Sequence, residues 1–139
     1  MEDTVPILRA LADEERLRIV RLLLATSSRV CVCELVDILR LPQYEVSRQL
    51  RVLRDAGIVS CERRGTWAYY GIAESQSGFA LAVLDAVARH VPGEWSGSDL
   101  ERAATRLGLR LADVCVVGYE PDRPFRERIP AASRRPRRD

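Results

Sequence analysis

The chain has 139 residues, 47% of them hydrophobic, with 22 basic and 20 acidic residues, one His and four Cys. That length suits one domain with extensions around a modest core. No window approaches the roughly twenty uninterrupted apolar residues of a membrane span, which excludes a membrane-embedded role.

The net charge of +2 conceals an uneven distribution. Residues 1–40 sum to −1, 41–70 to +2, 71–121 to −3 and 122–139 to +4. A basic middle and a basic tail on an acidic body hint at a polyanionic partner. Every basic residue is Arg, which coding bias in a GC-rich genome explains as well as function does. Met1-Glu2-Asp3 is acidic and leads into a helical pattern, so it does not read as a secretory signal. The cysteines are accordingly expected to be free thiols of a cytoplasmic protein, not a disulfide framework.

Residues 5–11 read as a short helix. Ala12-Asp13-Glu14-Glu15 starts a longer one with acids in its first turn, and Leu17, Ile19, Val20, Leu22, Leu23 and Leu24 give it a broad apolar face. Thr26-Ser27-Ser28 breaks the pattern. Leu35, Ile38 and Leu39 fall at helical spacing over 32–40, and Leu41-Pro42 is expected to stop that helix. A further helix runs from Gln43 to Ala56, burying Val46, Leu50 and Leu53, with Gly57 as its left-handed cap. Residues 58–72 hold two β-prone runs around Arg63-Arg64-Gly65-Thr66, a hairpin. Residues 76–91 return to helix.

Two helices joined by a short turn and followed by a two-stranded wing define an α+β, mainly α, winged helix-turn-helix layout. Its second helix, here 43–56, enters the major groove, and the wing tip, 62–66, reaches phosphate or the minor groove. No catalytic triad, P-loop or paired carboxylates stands out, and a single His is a poor supply of general base, so the chain does not read as an enzyme.

Val30-Cys31-Val32-Cys33-Glu34-Leu35, then the run from Val46 to Val59, then Arg63-Arg64-Gly65 and Tyr69-Tyr70, resemble the ArsR/SmtB family of metal-sensing repressors. Leu11 to Ile19 resembles that family's first long helix. The likeness covers roughly residues 5–90. It implies a homodimer that binds palindromic double-stranded operator DNA and releases it when a metal or metalloid binds. Dimerisation would use the helices around 5–25 and 76–91. The Cys-Val-Cys motif resembles the arsenic-responsive branch, with As(III) or Sb(III) as inducer and no organic cofactor. Cadmium- or lead-type sensing and thiol oxidation remain as alternatives.

Thiolates select soft ions. On a regular helix Cys31 and Cys33 would point about 200° apart, so one ion could hold both only where the backbone is non-helical or is pulled out of helical geometry. A helix N-terminus is also expected to lower thiol pKa. Binding there would distort the first helix of the motif and tilt helix 43–56 away from DNA. The family's arsenic sensors often carry a third Cys three residues after the second; here that position is Val36. Cys115, in an apolar segment at 111–119, is the candidate third ligand with Cys31 and Cys33. Cys61 on the first wing strand, or no third thiol at all, stays open. A zinc site on the last helix would have only Asp85 and His90 to draw on.

Base-edge and phosphate contacts are expected from Gln43, Tyr44, Ser47, Arg48, Gln49 and Arg51 on the exposed face of the recognition helix, with Arg63 and Arg64 at the wing. The family often has His where Gln49 stands. The expected organisation is a DNA-binding and dimerisation domain over 1–92, a C-terminal extension with Cys115 over 93–120, and an Arg/Pro-rich, disordered tail over 121–139.

Overall fold

A computed structural model describes residues 3–91, 98–111 and 114–115. The tail at 121–139 and most of the apolar segment at 111–119 lie outside the described residues. The first two helices are α1 (Thr4–Leu11) and α2 (Glu14–Thr26). The Asp13 carboxylate accepts the Arg16 backbone N–H at 3.0 Å, capping α2 where the acidic cluster predicted a start. Ser27, in the left-handed region, ends it.

A two-residue strand, β1 (Val30–Cys31), precedes α3 (Val32–Leu39). Two residues are too few for an alternating pattern, so the sequence does not mark them as a strand. Arg40, at φ 55°, turns the chain one residue before the expected Leu41-Pro42 stop. Pro42 then caps α4 (Gln43–Asp55). Gly57, at φ 77°, takes the left-handed conformation the sequence predicted, although Ala56 occupies the cap position itself.

The wing is β2 (Val59–Arg64) and β3 (Trp67–Ile72), antiparallel, with Cys61 opposite Tyr70 and Arg64 opposite Trp67. Strand β1 pairs with the other edge of β3, Cys31 opposite Tyr69, giving the order β1-β3-β2. The helix-turn-helix and its wing are thus joined by backbone hydrogen bonds at Cys31. Helices α5 (Gly78–His90) and α6 (Asp99–Leu107) complete the described chain. No helix among the described residues is long and apolar enough to cross a membrane.

The core is built around α2. Ile19, Val20, Leu22 and Leu23 pack with Leu35, Ile38 and Leu39 of α3, Val46, Leu50 and Leu53 of α4, and Ala80 and Leu84 of α5. The three α4 residues are the ones its period had marked for burial. Helix α6 joins the body both through Ala103, Leu100 and Leu107, which pack on the core, and through charge. Arg18 makes a two-pronged contact with Asp99, both bonds 2.9 Å, and also reaches the Leu39 carbonyl at 2.8 Å. Arg102 reaches Asp99 and the Ile38 carbonyl. These contacts satisfy α3 carbonyls that its own helix leaves open, the accounting that every helix C-terminus requires.

Candidate thiol site and nucleic-acid interface

The Cys31 backbone is extended (φ −83°, ψ 163°) and caps α3, while Cys33 lies inside its first turn. The helical 200° separation therefore does not apply. The Cys31 and Cys33 sulfurs are 3.0 Å apart, and the Cys115 sulfur is 3.4 Å from Cys33. All three lie within 4.8 Å of one another. Their residues are 1%, 8% and 1% exposed. Of the two expected alternatives, a non-helical backbone or one pulled out of helical geometry, the structure shows the first: Cys31 is extended, and the chain gathers the sulfurs with α3 intact. Cys61 is not in this cluster; it is half-buried on β2 beside Tyr70.

Four residues that the sequence reading did not single out as site residues hold the cluster. Glu34 accepts the Cys31 N–H at 3.1 Å, and its two carboxylate oxygens each accept a 2.7 Å bond from Arg110. Arg110 also donates to the Arg29 carbonyl at 2.6 Å. Arg106, fully buried, donates to Asp37 at 2.7 Å and brings its guanidinium within 4.0 Å of the Cys33 sulfur. The buried Tyr69 hydroxyl accepts the Cys115 N–H at 2.9 Å. The Arg64 and Arg110 guanidiniums lie over the Tyr69 ring, 5.1 and 5.6 Å from its centroid. Of these four, only Glu34 had a local signal, an acid three residues after a helix cap.

The expected lowering of thiol pKa at the helix start is corrected. Hydrogen bonding to Cys115 pushes Cys33 up to about 12; its contact with Cys31 opposes this, and burial adds to it. Cys31 is pushed up by its bonds to Cys115 and Cys33 and by burial, with Glu34 adding repulsion. Desolvation and crowding of sulfurs outweigh the helix end. Both shifts favour the protonated form of Cys31 and Cys33.

Gln43, Tyr44, Ser47, Arg48 and Arg51 are exposed on α4, Tyr44 at 73%. Arg63 and Arg64 are exposed on the wing. A groove of about 860 Å³ runs along α4, lined by Tyr44, Ser47, Arg48, Arg51, Arg54 and Tyr70 among others. Arg54, outside the predicted set, shares it. Gln49 does not belong here. It is 4% exposed, accepts from Arg16 at 2.7 Å and donates to Glu15 and Glu45. Its expected place on the exposed face is corrected: position 49 lies one helical turn from Val46 and Leu53, beside the buried seam, and its amide ties α4 to α2. In the same network Glu15 is raised, first by its hydrogen bond with Glu45, and Glu45 is lowered by the same contact. Arg48 pairs with Glu45 at 2.7 Å and Arg64 with Glu62 at 3.1 Å, exposed contacts that cost little to exchange for phosphate.

A helix-turn-helix whose second helix presents arginines, followed by an arginine-tipped β wing, defines a winged-helix DNA-binding protein. The family described as bacterial regulatory protein, arsR family, matches residues 13–60. The chain is 39% identical over 122 residues to an arsenic resistance transcriptional regulator of Pseudomonas putida, covering 87% of this chain and 85% of that protein. A second arsenic resistance regulator of the same organism is 41% identical over 110 residues, 78% of this chain and 94% of its own length. The HTH-type transcriptional repressor SmtB of Mycobacterium tuberculosis is 49% identical over 82 residues, 59% of this chain and 58% of that one. The chain belongs to the ArsR family of bacterial transcriptional regulators, DNA-binding proteins and not enzymes.

Proposed function

We propose that the chain is a homodimeric, metalloid-responsive repressor. It holds operator DNA through α4 and the wing, and it releases that DNA when trivalent arsenic, or antimony, bonds to Cys31, Cys33 and Cys115. The observation that carries this reading is the convergence of three buried sulfurs within 4.8 Å. Sulfurs bound to one soft ion at roughly 2.3 Å lie about 3.5 Å apart, close to the Cys33–Cys115 spacing. The named function of the two Pseudomonas relatives points the same way.

Proton balance favours arsenite over a divalent cation. Arsenous acid and three thiols give three As–S bonds and three waters, the thiol protons leaving with the hydroxyl oxygens. A divalent ion must instead expel those protons into solution, which buried, protonated thiols resist.

The sulfurs pack against Tyr69 and Trp67 of the wing, and Cys31 is paired with β3. Ligand there moves the wing relative to α4 without unwinding α3. A ligand that fits one arrangement better than the other shifts their populations, and operator affinity follows. Gln43, Tyr44, Ser47, Arg48 and Arg51 would read the major groove, and Arg63 and Arg64 the phosphates, in this scheme. Dimerisation would use the exposed apolar residues Val5 and Leu8 of α1 with Phe79 and Leu81 of α5. The remainder of the chain divides, on this reading, into an extension over 93–120 that supplies Cys115 and a basic tail over 121–139.

A gel-shift titration with arsenite tests the reading. Release by arsenite from the wild-type complex, lost in Cys31→Ser and Cys33→Ser, is expected. A complex indifferent to arsenite refutes it. Release by cadmium or peroxide alone would assign a different inducer.

A further inference from the structure

Arg29 stands just before β1 and, in the register of Val30 with Tyr70, comes level with Gly71 of β3. Its side chain crosses the sheet there because Gly71 leaves the space free: a methyl group at position 71 would come within 2.9 Å of the Arg29 Cγ. On β2 its guanidinium donates to the Ser60 carbonyl at 3.0 Å and the Ser60 hydroxyl at 2.9 Å, and it pairs with Glu62 Oε2 at 3.2 Å. Ser60, Glu62 and Arg64 alternate along β2 and share one face. The other oxygen of Glu62, Oε1, accepts from Arg64 at 3.1 Å. One carboxylate thus holds two arginines, one on each oxygen. The Arg29 main chain is anchored as well, since its carbonyl accepts from Arg110, which also holds Glu34.

We propose that Arg29 is a positioning residue for DNA binding: it keeps the Glu62 carboxylate neutralised, so that Arg64 can leave it for a phosphate. This rests on the reading of the wing as a phosphate contact. Without Arg29, an Arg64 that turns to DNA leaves a bare carboxylate beside the phosphate it approaches, and the like charges oppose docking. With Arg29 in place, Glu62 stays paired whether Arg64 is on it or on the DNA. Gly71 is part of the same device, because any side chain there pushes Arg29 off the sheet. The Arg29 and Glu62 side chains are 22% and 48% exposed, so solvent screens the pair and the effect on affinity is several-fold, not orders of magnitude.

Fluorescence anisotropy on the full chain tests this, with a DNA duplex that the wild-type protein enriches from a randomised pool. In Gly71→Ala, which displaces Arg29 without changing any charge, affinity should fall about fivefold. In an Arg29→Ala background the added methyl has no side chain to meet, so Gly71→Ala should cost less than about 1.5-fold more. Glu62→Gln should return Arg29→Ala to within about twofold of wild type, a rescue that a merely loosened wing would not show. Circular dichroism checks that each variant is folded; if Gly71→Ala is not, the Arg29→Ala and Glu62→Gln pair decides. Wild-type affinity in folded Gly71→Ala, or an Arg29→Ala loss that Glu62→Gln does not relieve, overturns the proposal. If the wild-type chain enriches no duplex, or Arg64→Ala binds like wild type, the reading of the wing falls and takes the proposal with it. A loss in Arg64→Ala with none in Gly71→Ala overturns the proposal alone.

Discussion

The α4 and wing surface proposed to meet DNA and the sulfur cluster are built on opposite rules. On α4 and the wing, arginines stand in solvent with near-neighbour acids, Arg48 with Glu45 and Arg64 with Glu62. Around the sulfurs, arginines are buried and reach across the chain, Arg106 to Asp37 and Arg110 to Glu34, both at 2.7 Å. The first arrangement keeps its charge ready for another partner. The second uses its charge inside the protein, tying Arg106 and Arg110 to the α3 segment that carries Cys31 and Cys33. A reading surface thus tolerates loose side chains, whereas a chelating site needs its donors pre-set.

The contrast is best broken at Arg110. Arg110→Ala leaves the Glu34 carboxylate buried without this partner and should lower unfolding free energy by about 3–5 kcal/mol, measurable by urea denaturation. If the loss resembles that of an exposed pair, Arg110 does not organise the site. Next in size, Cys33→Ser should raise the arsenite concentration that releases DNA by about a hundredfold, or about 2.7 kcal/mol, with DNA affinity in the absence of arsenite unchanged. Gln49→Ala should cost about 1–2 kcal/mol of stability and leave base preference at the operator intact, as a selection from randomised operators would reveal; a changed preference would return Gln49 to the DNA face. Arg64→Ala should weaken binding to all sequences alike and reduce the salt slope by about 0.9. The smallest expected effect is a flat line. Arsenite affinity should barely change between about pH 6 and 8, because the thiols remain protonated and their protons leave in water. Cadmium affinity should climb by up to about tenfold per pH unit for each proton expelled. A steep pH dependence for arsenite would contradict the protonated cluster.

Legibility in the sequence followed the same division. The wing, the recognition helix and its buried seam are local patterns: Val46, Leu50 and Leu53 repeat at the helical period, and Arg63 to Thr66 form a turn between β-prone runs. The sulfur cluster is not local. Cys115 lies 82 residues from Cys33, and what brings it home is α6, whose Asp99, Arg102 and Arg106 look like an ordinary solvated helix until their partners on α2 and α3 are known. The Cys31–Cys33 geometry stayed open between two alternatives because β1 is too short to leave a period, and Gln49 was misplaced because a polar residue on a buried seam is invisible to a hydrophobic pattern. The thiol pKa failed for a related reason: a helix end is read from sequence, but the crowding of three sulfurs is not.

Tyr69 gives this arrangement a bookkeeping law. Its hydroxyl holds the Cys115 backbone while its ring lies under Arg64, the arginine proposed to meet phosphate. If one side chain serves both stations, the influence runs both ways: whatever factor by which inducer loosens the operator, the operator must loosen inducer by the same factor. Repressor seated on its promoter would then be a duller detector than repressor free in solution. The gene would answer to the free pool, which fills first and no longer replaces what dissociates from the DNA.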